Sequence, residues 1–379
     1  MHVTANRQSL VQALGLAERA AAARESVPVL SGVRLTAQEG WLDLTATDLE
    51  VTAAVRVAAS VKDPGDRVVD ARLFAGLVRR LAGESVELAL GADGSSLEVV
   101  SATARFSLMS SGPEDFPELP RVSEGWELSM DSRRLREAFA QTVFAAATSD
   151  QRPVLSGVLV ELEGPYLRVV ATDGSRLAFR EVKLTEPPAP LGEPRLFTPR
   201  AIVPARAVAE MMRLCDAGED ESAVSLRVGQ RLACLQAPAA GAQLITRLIE
   251  GNFPPYRQAF LDELPTRLTF DRGGMLEAVQ RAAVLSRRGP AVVILDMEPD
   301  GVVVRAREAD VGHGEDRVAA QLEGPPVSVA YQAHFLEDVL KVFDEPEMVL
   351  EVGDPAKQGT FRVPGMGDYR YIVMPVRLG

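Results

Sequence analysis

The sequence predicts an α+β fold in which one β-rich unit carrying two helices occurs three times along the 379 residues. Three observations support this prediction: an internal repeat, amphipathic helical stretches that keep the spacing of the repeat, and alternating strand patterns between them. Hydrophobic residues make up 46% and charged residues 25% of the chain, which is ordinary globular usage. A chain of this length is expected to hold two or three domains.

The internal repeat has an offset of 125 residues. The hexapeptide Pro28–Val33 recurs letter for letter as Pro153–Val158. At the same offset, Ala46–Asp48 recurs as Ala171–Asp173, and a fainter third copy begins near Pro290. Two matches at one spacing indicate that the same structural unit is used more than once.

Six stretches, two in each copy, have the apolar spacing of amphipathic helices. In the first, Leu10, Leu14 and Ala17 follow one another at i, i+4 and i+7. Asp131 and Asp271 stand just before two of the stretches, where a carboxylate accepts hydrogen bonds from unpaired helix amides. The predicted helices cover residues 7–24, 71–83, 132–149, 199–215, 272–288 and 330–343.

Alternating apolar and polar residues predict half-buried strands between the helices. The clearest are Trp41–Thr47, Ser85–Leu90 and Leu167–Thr172. Asp93 and Asp173 are each followed by glycine, which predicts hairpin turns because glycine readily adopts the positive φ that such turns need.

Stretches rich in proline and glycine mark the seams between the units, at residues 112–120 and 251–265. They place the domain boundaries near 125 and 266. The predicted domains are therefore residues 1–125, 126–266 and 267–379, each of ordinary domain size.

Several classes of protein are disfavoured by the composition. No apolar run reaches the roughly 18 residues that span a bilayer, and the amino terminus lacks the pattern of a signal peptide. We therefore expect a cytoplasmic protein that does not bind membranes. Cys215 and Cys234 are too few for a disulfide framework and too isolated for a zinc site. Only three histidines are present, none at i,i+4 spacing, so we expect no metal or other cofactor.

An enzymatic function is also disfavoured. Asp48 and Asp173 occupy equivalent places in two repeats and could suggest the two carboxylates of a hydrolase. Nothing in the sequence indicates that they meet, and an aspartate at a hairpin more often forms the turn. No phosphate-binding loop, dinucleotide fingerprint or metal-spaced cluster occurs. We interpret Gly312–Asp316, which includes His313, as a polar loop, and a weak cation site there stays open. The sequence therefore predicts a protein without catalytic residues.

The charges are unevenly distributed along the chain. The net charge is −12, yet the six predicted helices contain 17 Lys or Arg and only 6 Asp or Glu, which leaves −23 on all other residues. Glu is as good a helix former as Arg, so helix propensity does not explain the excess. Helices that share a face would form a positive surface on an acidic body. Such a surface suits contact with duplex phosphates without reading the bases.

Four segments resemble a known family: Pro28–Gly32, Val170–Ala178, Gly251–Tyr256 and Tyr371–Leu378. They are similar to the bacterial DNA polymerase III beta subunit, the sliding clamp, and the similarity covers the whole chain. The resemblance implies three repeats of one DNA-clamp domain, with antiparallel sheets outside and two helices per repeat inside. It implies a homodimer closed head to tail into a ring around double-stranded DNA, which gives the replicative polymerase processivity without catalysing a reaction.

The resemblance further implies a partner-peptide groove between domains 2 and 3. Short peptides of the replicative polymerase, the clamp loader and repair polymerases would bind there, anchored by hydrophobic side chains. Plain core packing of Leu155, Leu177 and Met374 is the alternative. The implied groove residues are Arg152, Leu155, Thr172, Gly174, Ser175, Arg176, Leu177, Pro254, Gln332, Phe335, Val373, Met374, Pro375, Val376, Arg377 and Leu378.

The sequence departs from the family pattern at four places near this groove. Ser175 stands where the family often has histidine, and Gln258 and Ala259 stand where it often has arginine and valine. Gly379 extends the chain past the usual terminal leucine. We expect an altered peptide preference rather than a loss of binding.

Two further surfaces follow from the resemblance and from the basic helices. The predicted DNA-facing residues are Arg24, Arg79, Arg80, Arg136, Ser149 and Arg200. At the predicted dimer interface, Phe106 and Leu108 meet Val284 and Leu285 of the other copy, although ordinary strand and helix packing would explain the same residues. The alternative function is a non-enzymatic β-rich scaffold that binds proteins and does not encircle DNA.

Overall fold

The chain is described from a computed structural model, which covers residues 1–23, 27–149, 151–192, 199–217, 222–261, 264–286, 290–308 and 311–377. It forms two compact units, each of which contains residues of more than one repeat. Unit 1 comprises Met1–Arg136, Thr185–Thr198 and Arg206–Leu248, and unit 2 comprises Glu137–Leu184, Pro199–Ala205 and Ile249–Gly379. The predicted domain boundaries near 125 and 266 stay a prediction, because the units do not divide there.

The described residues form six α-helices, two in each repeat. They are α1 Arg7–Ala20, α2 Ala71–Arg80, α3 Ser132–Val143, α4 Ala205–Asp216, α5 Arg272–Ala283 and α6 Ala333–Lys341. Both predicted N-caps are confirmed: Asp131 Oδ1 accepts a hydrogen bond from the amide of Arg134 at 3.0 Å, and Asp271 accepts one from the amide of Gly274. No helix in these ranges has the length and apolar run needed to cross a membrane.

The strands of the described residues are antiparallel throughout. In chain order they are β1 His2–Asn6, β2 Gly32–Gln38, β3 Trp41–Thr47, β4 Val51–Asp63, β5 Gly65–Asp70, β6 Ser85–Leu90, β7 Ser96–Ser101, β8 Ala104–Ser111, β9 Gly125–Asp131, β10 Gly157–Glu163, β11 Tyr166–Thr172, β12 Arg176–Lys183, β13 Ala189–Leu191, β14 Arg200–Pro204, β15 Ala223–Val228, β16 Leu232–Ala237, β17 Ala242–Arg247, β18 Thr266–Asp271, β19 Val292–Glu298, β20 Gly301–Glu308, β21 Gly312–Val318, β22 Ala320–Glu323, β23 Ser328–Gln332, β24 Glu347–Val352, β25 Gly359–Val363 and β26 Met366–Val373.

Unit 1 is built on one sheet of thirteen strands. Its order is β1-β6-β7-β8-β5-β2-β3-β4-β17-β16-β15-β9-β13. β4 is long enough to pair twice on one edge, with β17 through Val51–Val55 and with β1 through Ala59–Asp63. The second pairing closes the strands of the first repeat on themselves. α1 and α2 cover this sheet and bury Leu10, Leu14 and Phe74.

Unit 2 contains a nine-stranded and a four-stranded sheet. The larger has the order β14-β10-β11-β12-β26-β25-β24-β18-β22, and the smaller has the order β21-β20-β19-β23. In the larger sheet β12, from the second repeat, pairs with β26, the last strand of the chain: Arg176 lies opposite Val373 and Leu177 opposite Ile372. Residues almost 200 positions apart are thereby held side by side.

The structure corrects the beginnings of two predicted helices. Residues 200–204 form β14, and residues 330–332 belong to β23, so α4 and α6 begin at Ala205 and Ala333. Short apolar runs such as Ala201–Val203 fit both the helical and the strand period, so periodicity alone does not separate the two. Residues 200–204 form a strand because they pair with β10.

Other predicted helices end earlier than expected. Those predicted to end at 24, 83, 149 and 288 end at 20, 80, 143 and 283. After α1, the amide of Ala22 donates to the carbonyl of Leu30 at 2.8 Å, and after α3 the amide of Ala147 donates to Leu155 at 2.8 Å. In both repeats the chain therefore leaves the helix to pair with the repeated hexapeptide.

Two interpretations of loops are now settled. The prediction of a polar loop at Gly312–Asp316 is wrong, because this segment forms part of β21 and pairs with β20. The turn reading of the repeated aspartates is confirmed: Asp48 Oδ1 accepts from the amides of Glu50 and Val51, and Asp173 Oδ1 accepts from those of Ser175 and Arg176.

The glycine of the repeated hexapeptide is required by close packing. A Cβ at Gly32 would lie 2.5 Å from Val68 Cγ1, and one at Gly157 would lie 2.5 Å from Ile202 Cγ2. In both copies, therefore, the neighbouring strand of the sheet occupies the space that a side chain would need.

We expect Gly157→Ala to lower the free energy of unfolding by about 1–3 kcal/mol, because the new methyl group must displace packed atoms. Gly15→Ala is the matched control, since Gly15 is on α1 and a methyl group added there would meet nothing within 4 Å. Alanine at that position should raise stability by up to about 1 kcal/mol. Urea denaturation followed by circular dichroism measures both. Equal effects of the two substitutions would contradict this reading.

Candidate functional site

Most of the predicted groove residues meet at one place in unit 2. The β11–β12 turn, the carboxyl-terminal residues that follow β26, and the start of α6 come together there. The amide of Met374 donates to the carbonyl of Ser175 at 2.8 Å, and the amide of Val376 donates to that of Ala330 at 2.8 Å. These backbone bonds hold the end of the chain between the turn and β23.

The β11–β12 turn is shaped by Thr172 and Gly174. The buried Thr172 hydroxyl donates to the carbonyl of Arg176 at 2.6 Å and accepts from the amide of Gly174 at 3.1 Å. Gly174 has φ of 95°, a conformation that favours glycine. Ser175 is left exposed at the tip of the turn, with its carbonyl bonded to Met374.

The predicted apolar residues fall into two groups by exposure. Leu155, Leu177 and Val373 are buried, which favours the core-packing alternative for their side chains, whereas Met374 is 43% exposed. Leu177 belongs to a cluster that the sequence prediction largely missed. The cluster consists of Leu159, Val170, Leu177, Phe179, Ile202, Tyr256 and Ile372, with Val154, Ile249, Phe253, Ala259 and Phe260 packed against it.

Arg176 is buried below the turn rather than open to a ligand. Only 8% of the residue is exposed. Its Nε donates to Asp173 at 3.0 Å, and its Nη1 donates to Asp338 of α6 at 2.5 Å. Nη2 donates to the carbonyl of Phe144 at 2.7 Å, and the guanidinium lies 4.5 Å from the ring centre of Phe335. Arg176 therefore joins β12 to α6 beneath the β11–β12 turn.

The remaining predicted groove residues differ in accessibility. Arg152 and Arg377 are exposed, Phe335 is buried, and Leu378 lies outside the described residues. The half-buried members are Pro254, Gln332, Pro375 and Val376. Of the residues that depart from the family pattern, Gln258 is exposed, and the half-buried Ala259 accepts a hydrogen bond from Gln358 at 3.3 Å through its carbonyl.

Arg200 is placed differently from the prediction. It lies on β14 rather than on a helix, and its guanidinium donates to the buried carboxylate of Glu161. The hydroxyl of Tyr256 donates to the other oxygen of Glu161 at 2.5 Å. Burial favours a raised pKa for Glu161, but the hydrogen bonds from Tyr256 and Arg200 outweigh it and hold that pKa below its usual value.

The other predicted DNA-facing residues lie on or near helices. Arg79 pairs with Glu18, Arg136 pairs with Asp216 at 2.5 Å, and Arg80 donates to a backbone carbonyl of its own helix. The exposed Ser149 follows α3, which ends six residues earlier, and Arg24 lies outside the described residues. These arginines keep positive charge at the surface, but two of them share it with carboxylates.

The charge excess on the helices is smaller than predicted. Within their observed bounds the six helices contain 13 Lys or Arg and 7 Asp or Glu. Arg200 moves to a strand, and Arg24, Arg287 and Arg288 lie outside the described residues. The helices are still net basic.

A cleft of about 760 Å³ in unit 1 adds arginines that the sequence prediction did not single out. Arg206 of α4 pairs with Asp48 at 2.6 Å and donates to the carbonyl of Arg19. The charged residues lining the cleft are Glu18, Arg19, Asp48, Arg72, Arg79, Arg206 and Glu210.

The predicted interface residues flank two sheet edges. In the described part of the chain, residues 104–109 of β8 pair on one side only, with β7, and β21 pairs only with β20. Phe106 is 46% exposed on β8, and the same strand carries the exposed Met109, which the prediction missed. Val284 is 77% exposed after α5, and Leu285 approaches Gly314 of β21.

Metal or thiol chemistry finds no support in the described ranges. They contain no group of three or more His, Cys, Asp or Glu side chains that could hold a metal ion. Cys215 and Cys234 are buried, and burial raises the pKa of each thiol to about 12. Such thiols stay protonated and unreactive at neutral pH.

Three family models match the chain one after another. They describe the DNA polymerase III beta subunit: its N-terminal domain matches residues 1–120, its central domain residues 129–255, and its C-terminal domain residues 257–377. Together they account for nearly the whole chain in the order of its three repeats.

Relatives match over the full length. The beta sliding clamp of Streptomyces coelicolor is 32% identical over 384 residues, covering 100% of both chains, and that of Staphylococcus aureus is 26% identical over 387 residues, covering 100% of this chain and 99% of the relative. Among solved structures, the DNA polymerase III beta subunit from Pseudomonas aeruginosa has 27% identity and a TM-score of 0.89, and that from Thermotoga maritima has 26% and 0.90, each covering 100% of both chains.

The relatives match the whole chain, and an identity of 32% over that length establishes common descent. The three domain models follow one another in the order of the three repeats. The chain therefore belongs to the family of the bacterial DNA polymerase III beta subunit, the beta sliding clamp.

Proposed function

We propose that two copies of this chain close into a ring around duplex DNA and hold the replicative polymerase on its template through a peptide groove in unit 2. The carrying observation is the full-length match to a curated beta sliding clamp. The chain is a sliding clamp of DNA replication and a non-catalytic subunit. The proposal adds the closed ring, the peptide groove and a cytoplasmic location. The scaffold alternative is not favoured.

The two open sheet edges support a head-to-tail dimer. β8 of one copy would lie beside β21 of the other, so that each covers an edge that would otherwise invite unspecific pairing. Arg105 on β8 and Glu315 on β21 are both largely exposed and have opposite charge. The exposed Phe106 and Val284 would be buried at the same interface. Because this contact uses different surfaces, it closes only if the rotation per copy completes a circle, as two copies of three repeats would.

Enclosure would hold the DNA without strong contacts. Arginines that share their charge with carboxylates, as Arg79 and Arg136 do, attract phosphates weakly and without base readout. A clamp held by topology needs no more than this, and weak contacts let it slide. The arginine-lined cleft of unit 1 would contribute to the same lining.

The groove would bind the hydrophobic anchors of a short peptide against Met374 and the residues around it. A flexible thioether adapts to different side chains, which suits a site shared by the polymerase, the clamp loader and repair polymerases. A solved clamp from Pseudomonas aeruginosa is bound to griselimycin, so ligand binding occurs in this family. Ser175, Gln258 and Ala259 would alter the preference among peptides.

We expect Met374→Ala to weaken binding of a fluorescein-labelled clamp-binding peptide of a replicative polymerase by about 5- to 30-fold, since a buried anchor contact is lost. Fluorescence anisotropy measures the affinity. Met109→Ala, the other exposed methionine, is the control and should bind normally. Unchanged affinity in Met374→Ala would refute the groove.

We expect Leu285→Asp to shift the protein from dimer to monomer in sedimentation velocity at micromolar concentration, because a charge would be buried at the interface. Leu73→Asp places the same charge at an exposed leucine of α2 and should remain dimeric. A dimer in both variants would show that the interface lies elsewhere.

We expect clamps assembled by the clamp loader on nicked circular plasmid to stay with the DNA through gel filtration, and to leave it once a restriction enzyme linearises the plasmid, because only a ring is retained by topology. Equal retention on circular and linear DNA would favour the scaffold over the ring.

A further inference from the structure

We propose that the hydrogen bond from Tyr256 to the buried carboxylate of Glu161 positions one wall of the peptide groove, so that these two residues set peptide affinity without touching the peptide. The inference rests on the proposed function of the groove. Residues 251–260, which lead from the second repeat into the third, are called the strap below. Tyr256 is its central side chain.

The strap lies on the nine-stranded sheet of unit 2 and is held there by an aromatic cluster. The Tyr256 ring lies 5.9 Å from that of Phe179 on β12 and 5.8 Å from that of Phe260 at the other end of the strap. Arg370 on β26 lies 4.6 Å from the ring centre of Phe260. Apolar packing alone would leave the ring free to shift within the cluster, and the hydroxyl bond removes that freedom.

The burial of Glu161 makes the loss of this hydrogen bond costly. Only 2% of the residue is exposed. Its Oε1 accepts from Arg200, and its Oε2 accepts from Tyr256 at 2.5 Å and from Arg257 at the longer distance of 3.4 Å. Without the Tyr256 hydroxyl, Oε2 keeps only the long contact from the half-exposed Arg257, and a buried carboxylate that loses its short hydrogen bond is left poorly satisfied at a cost in free energy. Burial and the bond to Glu161 raise the pKa of Tyr256, so the phenol remains a donor at neutral pH.

The surface ion pairs of the strap are less able to fix it. Arg257 pairs with Glu163, and its Nη2 lies 3.4 Å from Glu161, but its side chain is half exposed. Exposed pairs contribute little because water and salt screen them. The Tyr256–Glu161 bond is therefore the fixed point of the strap.

The strap is connected to the groove by backbone and by packing. The amide of Tyr256 donates to the carbonyl of Pro254, a predicted groove residue, at 2.7 Å. Tyr256 shares its apolar cluster with Leu177 of β12 and Ile372 of β26, which are paired with each other beside the proposed groove. At the start of the strap, a Cβ at Gly251 would lie 2.7 Å from Val154, next to Leu155. A shift of Tyr256 would therefore move Pro254.

The first repeat lacks both residues of the Tyr256–Glu161 hydrogen bond. At the offset of 125 residues, Thr36 replaces Glu161 and Ala54 replaces Phe179. The matching connection, Phe116-Pro117, has Leu119 where the strap, Phe253-Pro254, has Tyr256. In unit 1, Ala54 and Leu119 are among the residues that line a cavity of about 410 Å³. The Tyr256–Glu161 hydrogen bond therefore occurs where the second repeat leads into the third, beside the predicted groove. The equivalent connection after the first repeat does not have it.

The first test measures peptide affinity in Tyr256→Phe, which removes only the hydroxyl. With the labelled polymerase peptide, we expect binding about five- to tenfold weaker than wild type, the size of one ordinary intramolecular hydrogen bond. Tyr166→Phe, at the start of β11, is the matched control and should bind normally. Glu161→Gln, which keeps an acceptor but loses the charge, should change affinity in the same direction.

The second test separates positioning from simple stability. If strap order and peptide binding are coupled, peptide must slow hydrogen–deuterium exchange of the strap amides in the wild-type protein, because coupling is reciprocal. Tyr256→Phe should speed this exchange, reduce the protection by peptide and leave β10–β12 unchanged. The wild-type measurement requires no variant, so it stands even where a substitution impairs folding.

The outcomes are distinguishable. Normal peptide affinity in Tyr256→Phe, or strap exchange that peptide does not alter, overturns the inference and leaves the groove in place. Failure of the wild-type protein to bind the peptide, or normal binding by Met374→Ala, overturns the proposed groove itself.

Discussion

The pairing of β12 with β26 is the contact on which the candidate site depends. It places the turn at Thr172–Ser175 beside the last residues of the chain, and the amide of Met374 extends the ladder by one more bond to Ser175. Neither segment could form a binding surface alone, because each is a few residues long. A backbone ladder is suited to this role, since its register aligns every residue of both strands at once.

Two buried charged residues then fix what the ladder brings together. Arg176 connects β12 to α6 through Asp338, and Glu161 holds the strap through Tyr256. Buried ionic groups add little net stability, because desolvation offsets their attraction, but breaking one partner is costly. Their effect is therefore to favour one arrangement of helix, strap and sheet over its neighbours. The proposed groove, which would recognise short peptides, would benefit from such a rigid frame.

The internal repeat shows how one unit serves different purposes. The same threonine–aspartate turn occurs in both repeats, with Leu49 at positive φ in the first and Gly174 in the second. In the first repeat Asp48 pairs with Arg206, next to the arginine-lined cleft, whereas in the second Asp173 pairs with Arg176. The two repeats share the backbone of the turn. Their side chains differ, so that the first turn lies at the arginine-lined cleft and the second at the proposed groove.

The order of elements was readable from local pattern: the repeat, the six helices, the caps at Asp131 and Asp271 and the aspartate turns all depend on neighbouring residues. The family resemblance supplied the candidate groove residues, but not which of them a ligand can reach. Burial of Arg176, the pairing of Arg200 with Glu161 and the strand at residues 200–204 depend on partners 39 to 162 positions away. Such contacts leave no periodic trace in the chain, because sheet pairing and burial follow from how distant segments pack, and only the folded molecule brings those segments together.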